Sequence, residues 1–120
     1  MRKVLILSFA AVAVAALLAA GATAKRAATP VLTGTDGPGF TIDLKMNGKA
    51  VKTLKAGKYK VVVSDKSSIH DFHLTGPGVD NATSVGGTGT KTWTLSLKKG
   101  TYKYVCDPHR TSMRGSFKVT

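Results

Sequence analysis

The chain has 120 residues, and its 18 lysines and arginines against six acids give a net charge of +12 with a single cysteine. That length allows one domain with one modest core and leaves no room for a substrate cleft built between domains. The basic excess is scattered (Lys45, Lys49, Lys52, Lys55, Lys58, Lys60) with no nucleic-acid motif, so it predicts acidic partners or anionic surfaces rather than nucleic acid.

In chain order, Arg2 and Lys3 form a basic start and Val4 to Ala20 is apolar apart from Ser8. Ala22-Thr23-Ala24 then supplies the small residues of a signal-peptidase site. The apolar stretch is near the minimum for crossing a bilayer, about 17 residues, so a retained anchor is the alternative. The small-residue site favours a signal peptide over residues 1–24 and a mature domain over 25–120, with no stable membrane insertion after cleavage. The expected location is periplasmic or secreted. No cysteine lies near the cut, which excludes a lipid-anchored lipoprotein. An exported chain meets an oxidising compartment, where cysteines pair. Cys106 has no partner in its own chain, so it is an intermolecular link, a reactive group or a ligand, with an inert buried thiol as the plain alternative.

Val31 to Thr33 reads as the start of an edge strand, and Gly34 to Gly39 as a turn rich in Gly and Pro. Phe40 to Met46 alternates apolar and polar residues, as a half-buried strand does. Asn47-Gly48 is a tight hairpin dipeptide, and Val51 to Leu54 returns. Tyr59 to Asp65 is a strong strand centred on three valines. Ile69 to Thr75 reads as another, with His70, Phe72 and Leu74 on one face and Asp71 and His73 on the other. Gly76 to Thr90 is a long loop of small residues. Lys91 to Leu97 alternates with Trp93, Leu95 and Leu97 inward; Tyr102, Tyr104 and Cys106 share a face; Phe117 and Val119 point inward from the last strand. Phe40, Phe72 and Trp93 are expected as core aromatics, and Met46 as packing. No helical period follows the leader. The pattern predicts an all-β sandwich or barrel of seven or eight strands.

The chemistry gathers in Tyr104-Val105-Cys106-Asp107-Pro108-His109-Arg110-Thr111-Ser112-Met113. Thiolate, imidazole and thioether in one short loop are donors that a soft or borderline transition metal prefers. Alternation makes Cys106 the last inward residue of its strand and turns His70 inward at the start of another. Where those strands share a pole, His70, Cys106, His109 and Met113 converge as a trigonal His₂Cys set with a weaker axial thioether. That set favours copper. Tetrahedral zinc is the competing metal, but it usually takes more thiolates or a carboxylate. His73 is the rival to His70, on the outward face of a regular strand. No general base stands beside a nucleophile, so a redox carrier is expected rather than an enzyme.

These residues resemble the cupredoxins, the small type 1 blue copper proteins, and most closely their plastocyanin, amicyanin and pseudoazurin group. The resemblance rests on Gly100-x-Tyr102-x-Tyr104-x-Cys106-x-Pro108-His109-x-x-x-Met113-x-Gly115 and runs from Phe40 to Val119. It implies a Greek-key β-sandwich and one type 1 copper cycling between Cu(I) and Cu(II). His70, Cys106 and His109 would be its ligands, with Met113 the long axial one. It also implies single-electron exchange with larger redox proteins, here a monomer meeting partners with acidic patches, with the His109 ring edge as the port. Three departures stand out. His109 and Met113 are separated by three residues, as in azurin-like proteins rather than plastocyanin. Asp71 replaces the usual asparagine, whose amide ties the ligand loops together; an ionised carboxylate can only accept, so that tie must be rebuilt or weakened. Val105 stands where plant plastocyanins carry a tyrosine. The competing functions are copper storage, delivery or resistance, although no Met- or His-rich tail is present, and a metal-free interaction module.

Overall fold

The computed structural model describes residues 27–120; the expected signal peptide at 1–24 lies outside the described residues. The alternation read from the sequence folds into ten strands. In chain order they are β1 (Val31–Asp36), β2 (Ile42–Met46), β3 (Lys49–Ala50), β4 (Thr53–Leu54), β5 (Gly57–Asp65), β6 (His73–Gly76), β7 (Val79–Ala82), β8 (Gly89–Leu97), β9 (Gly100–Val105) and β10 (Arg114–Val119). One 3₁₀ turn, Asp107–His109, lies between β9 and β10. Two five-stranded sheets result, ordered β3-β2-β1-β5-β8 and β4-β10-β9-β6-β7. The chain crosses between them after β3, β4, β5, β7 and β8, and β10 returns beside β9, giving a Greek-key sandwich. Both sheets are mixed, because β1 runs parallel to β5 and β10 parallel to β4.

The strand count exceeds the expected seven or eight for two reasons. The return after Asn47-Gly48 divides between the sheets: Lys49–Ala50 pairs with β2, and Thr53–Leu54 with β10. The stretch from Gly76 to Thr90, expected as a loop, contains β7, paired to β6 across a turn in which Gly78 takes φ 70°.

Two other expectations are corrected. β1 is central, not an edge, and runs through Asp36. Gly34 lies inside it because a Cβ there would come within 2.8 Å of the Phe72 ring, a close approach of backbone to side chain rather than a turn. The strand expected from Ile69 begins only at His73. Residues 69–72 are irregular, so the alternation fails and His70, Asp71 and Phe72 are all buried.

The core lies between the sheets. Leu32, Leu44, Val61 and Val63 come from one, and Leu74, Tyr102, Tyr104, Phe117 and Val119 from the other. Each such side chain contributes roughly 1.5–3 kcal/mol by leaving water. Tyr104 stacks on Phe72, centroids 5.5 Å apart, and Tyr102 on Phe117 at 5.2 Å. The Tyr102 hydroxyl accepts from the Lys98 N–H at 2.9 Å and donates to the Lys98 carbonyl at 2.9 Å, which anchors the β8–β9 turn. Of the three expected core aromatics, Phe72 is buried and Trp93 packs partly against the core. Phe40 does not join them: it precedes β2 at the end of the sandwich and is 61% exposed.

The registers bring β1, β5, β7 and β9 to an end at one pole, where β2, β6, β8 and β10 begin. Four loops meet there, at residues 37–41, 66–72, 83–88 and 106–113. The Lys66 N–H donates to the Asp36 carbonyl at 3.0 Å, and the Thr83 N–H to the Phe72 carbonyl at 3.1 Å.

Candidate metal centre

The loop after β9 is closed on itself. The Cys106 N–H donates to the Met113 carbonyl at 2.9 Å, the His109 N–H to the Cys106 carbonyl at 3.0 Å, and the Met113 N–H to the His109 carbonyl at 2.8 Å. Pro108 suits the first turn of the 3₁₀ segment, where its missing N–H leaves no donor unpaired. Cys106, the first residue after β9, is fully buried, and Met113 is fully buried where the loop re-enters the sheet.

His70 arrives from the other side of the pole. The Asp65 carboxylate accepts from the Ser67 N–H at 3.1 Å, and the Ser67 carbonyl from the His70 N–H at 3.4 Å. This turn replaces the expected strand and drops the imidazole into the interior, fully buried.

His70, Cys106 and His109 therefore converge. The two Nδ1 atoms are 3.1 Å apart, and the Cys106 Sγ lies 3.6 Å from that of His70 and 3.5 Å from that of His109. The point equidistant from the three atoms is about 2 Å from each, the bonding distance of imidazole nitrogen to a first-row metal. Three potential donor atoms, two imidazole nitrogens and a sulfur, face one another across this point. One soft or borderline cation meets all three at once, so the residues fit copper. Burial pushes the Cys106 thiol pKa up, partly offset by the backbone N–H groups of Asp71 and His109. A coordinating cation reverses that preference, because a metal-bound thiol is deprotonated outright.

Beside this triangle lies a second group, Asp71, His73 and Asp107. The Asp71 carboxylate accepts from the Asp107 N–H at 2.6 Å and so joins the two ligand-bearing loops. The tie in doubt for want of an asparagine is thus made by the acid. Burial, then the neighbouring Asp107, raises the Asp71 pKa to about 6. His73 was expected to face solvent. It is half-buried instead, with Nδ1 against Asp107 at 2.8 Å and Nε2 against Asp80 at 2.6 Å. Asp107 also meets the Arg110 guanidinium. His73 is occupied by carboxylates and stands outside the triangle that holds His70. Sequence reasoning missed this network, because Asp80 and Asp107 flank His73 only through strand pairing.

A family model described as copper binding proteins, plastocyanin/azurin family, matches residues 40–120. Among solved structures, reduced rusticyanin aligns at 22% identity with a TM-score of 0.59, covering 77% of this chain and 79% of its own. Rusticyanin from Thiobacillus ferrooxidans aligns at 24% identity and TM-score 0.54, covering 77% of each chain. At such identity these likenesses establish a shared sandwich fold. No curated protein matches in sequence.

Proposed function

The chain belongs to the copper-binding plastocyanin/azurin family, and from that premise we propose that this blue copper protein is an exported one-electron carrier between larger redox proteins. The proposed ligands are His70, Cys106 and His109, with Met113 as a weak axial donor. The observation that carries the reading is the convergence of two Nδ1 atoms and one Sγ around a single point. Copper supplies the change of oxidation state by one electron.

The chain's own residues supply a frame that does not move. Cys106 is held by its strand and by the Met113 carbonyl, and the Asp71 tie locks the His70 loop to the Cys106 loop. Donors fixed in this way need not rearrange when the charge at their centre changes. A plane of three donors with a weak fourth is a compromise between the preferences of the two copper oxidation states. The exposed apolar residues Phe40, Ile69 and Val85 belong to loops of the metal pole and suit contact with a partner there. The basic surface favours partners with acidic patches.

A visible spectrum of the copper-loaded protein tests the reading. An intense blue thiolate-to-copper band is expected, lost in His70→Ala and altered in Met113→Gln. Rapid reduction and reoxidation by redox proteins should accompany it. A colourless copper-loaded protein would refute the site. A blue protein that passes copper to acceptors but exchanges no electrons would make it a copper store.

A further inference from the structure

Phe40 is 61% exposed, yet it is not a free surface side chain. Its ring centroid lies 4.9 Å from that of His109 with the planes at 85°, and 5.2 Å from that of His70 with the planes at 69°. The imidazoles are themselves 4.8 Å apart at 79°. Three rings, each steeply inclined to the other two, close a triangle of edge-to-face contacts, the arrangement aromatic pairs prefer. The loop that carries Phe40 is itself seated. The Gly37 N–H donates to the Thr41 carbonyl at 2.9 Å, and a Cβ on Gly37 would sit 3.3 Å from the His70 ring.

A second observation explains why the contact matters. A metal-ligating histidine almost always has its other ring nitrogen hydrogen-bonded, which sets the orientation of the ring. Here the Nε2 of His70 is buried without a partner, and the Nε2 of His109 makes no hydrogen bond among the described residues. No polar group among the described residues aims the His70 ring from behind. Packing is left to orient that ring, and Phe40 packs edge-to-face on it and on the His109 ring.

Resting on the copper reading, we propose that Phe40 is a positioning residue that clamps the His70 and His109 imidazoles and closes the copper site to water and small anions. Its side chain touches the two imidazoles and offers no donor atom of its own. Its influence is therefore on ring orientation and access.

The experiment compares Phe40→Ala and Phe40→Tyr with the parent protein. Because the side chain is mostly exposed, the alanine variant should fold with an unfolding midpoint close to the parent's. In the copper-free proteins, ring signals of both histidines are followed by NMR. Sharp His109 signals with cross-peaks to Phe40 are expected in the parent, and broadened ones in Phe40→Ala. In the copper-loaded proteins, Phe40→Ala should show a shifted visible and EPR signature, a spectral response to azide that the parent lacks, and copper loss to a chelator about tenfold faster. Phe40→Tyr should restore all three. Unchanged histidine signals in the copper-free alanine variant would overturn the proposal, as would a copper-loaded variant inert to azide with the parent's spectrum and release rate. A parent protein that never turns blue would instead defeat the copper reading, and the copper-free comparison would still decide whether Phe40 holds the rings.

Discussion

Cys106 follows β9 directly and places its sulfur 3.5–3.6 Å from two imidazole nitrogens. Replacing it with serine exchanges a soft donor for a hard one at a buried position. Cys106→Ser should lose the blue band entirely and be destabilised by about 1–3 kcal/mol while staying folded, as read by visible spectroscopy and denaturant titration. Asp71 is the other residue whose single contact has a large reach. Asp71→Ala leaves the Asp107 N–H without its acceptor and should lower stability by about 1–3 kcal/mol and quicken copper loss to a chelator. Asp71→Asn keeps a carbonyl oxygen in the same place and should behave nearly as the parent. An alanine variant as stable and retentive as the parent would mean that the tie is redundant. At this scale the donor types were legible, because so few side chains can bind a soft metal. The partners of His73 were not, since strand pairing alone brings Asp80 to it.

Between elements, the close approaches are set by glycines facing aromatic rings. A Cβ on Gly76 in β6 would fall 2.1 Å from the Tyr102 ring in β9. That ring cannot retreat, because its hydroxyl is fixed at the Lys98 main chain. Gly76→Ala should therefore cost about 1–3 kcal/mol in a denaturant titration, and a neutral result would show that the ring has freedom the packing does not suggest. Strands with clean alternation, such as those around Tyr59 to Asp65 and Lys91 to Leu97, were readable because one face is buried and the other wet. The Asn47-Gly48 turn was readable because its residues take φ of 50° and 75°. Gly34 misled for a physical reason: a glycine that makes room for Phe72 looks, in sequence, like one that makes a turn. Phe40 misled because an apolar residue at a strand's start belongs equally to core or rim, and only the position of the pole decides.

Across the whole molecule, charge sets two further behaviours. Asp36 is fully buried at the end of β1, with neither carboxyl oxygen hydrogen-bonded among the described residues. Burial, then the neighbouring Asp65 and Asp71, pushes its pKa from 3.8 up to about 7. The folded protein holds a proton there that the unfolded chain releases. This contribution to stability is complete below pH 3.8 and is lost as pH rises through about 7. Asp71, raised to about 6 by burial and Asp107, acts in the same direction over this range, and His73, raised by Asp80 and Asp107, does so above its ordinary 6.5. Stability should fall between about pH 4 and pH 7, and Asp36→Asn should flatten that slope in denaturant midpoints measured across the range. An undiminished slope in the variant would assign the effect elsewhere. The excess of basic over acidic residues should slow reaction with an anionic oxidant such as hexacyanoferrate as salt is added, and quicken reaction with a cationic one. Stopped-flow rates against ionic strength decide this.

Read alone, the amino-acid order determined an all-β chain and a metal-binding loop, because strand periodicity and donor chemistry are local properties. It also identified the residues able to form a His₂Cys set. Folding in three dimensions decided that Asp71 turns inward beside His70, since irregular backbone at residues 69–72 cancels the alternation that placed Asp71 outside. It decided as well that an acid, not an amide, ties the loops, and that Phe40 lies over the imidazoles. Such contacts join segments some 30 or more residues apart, and no local pattern encodes a meeting that depends on how two sheets stack.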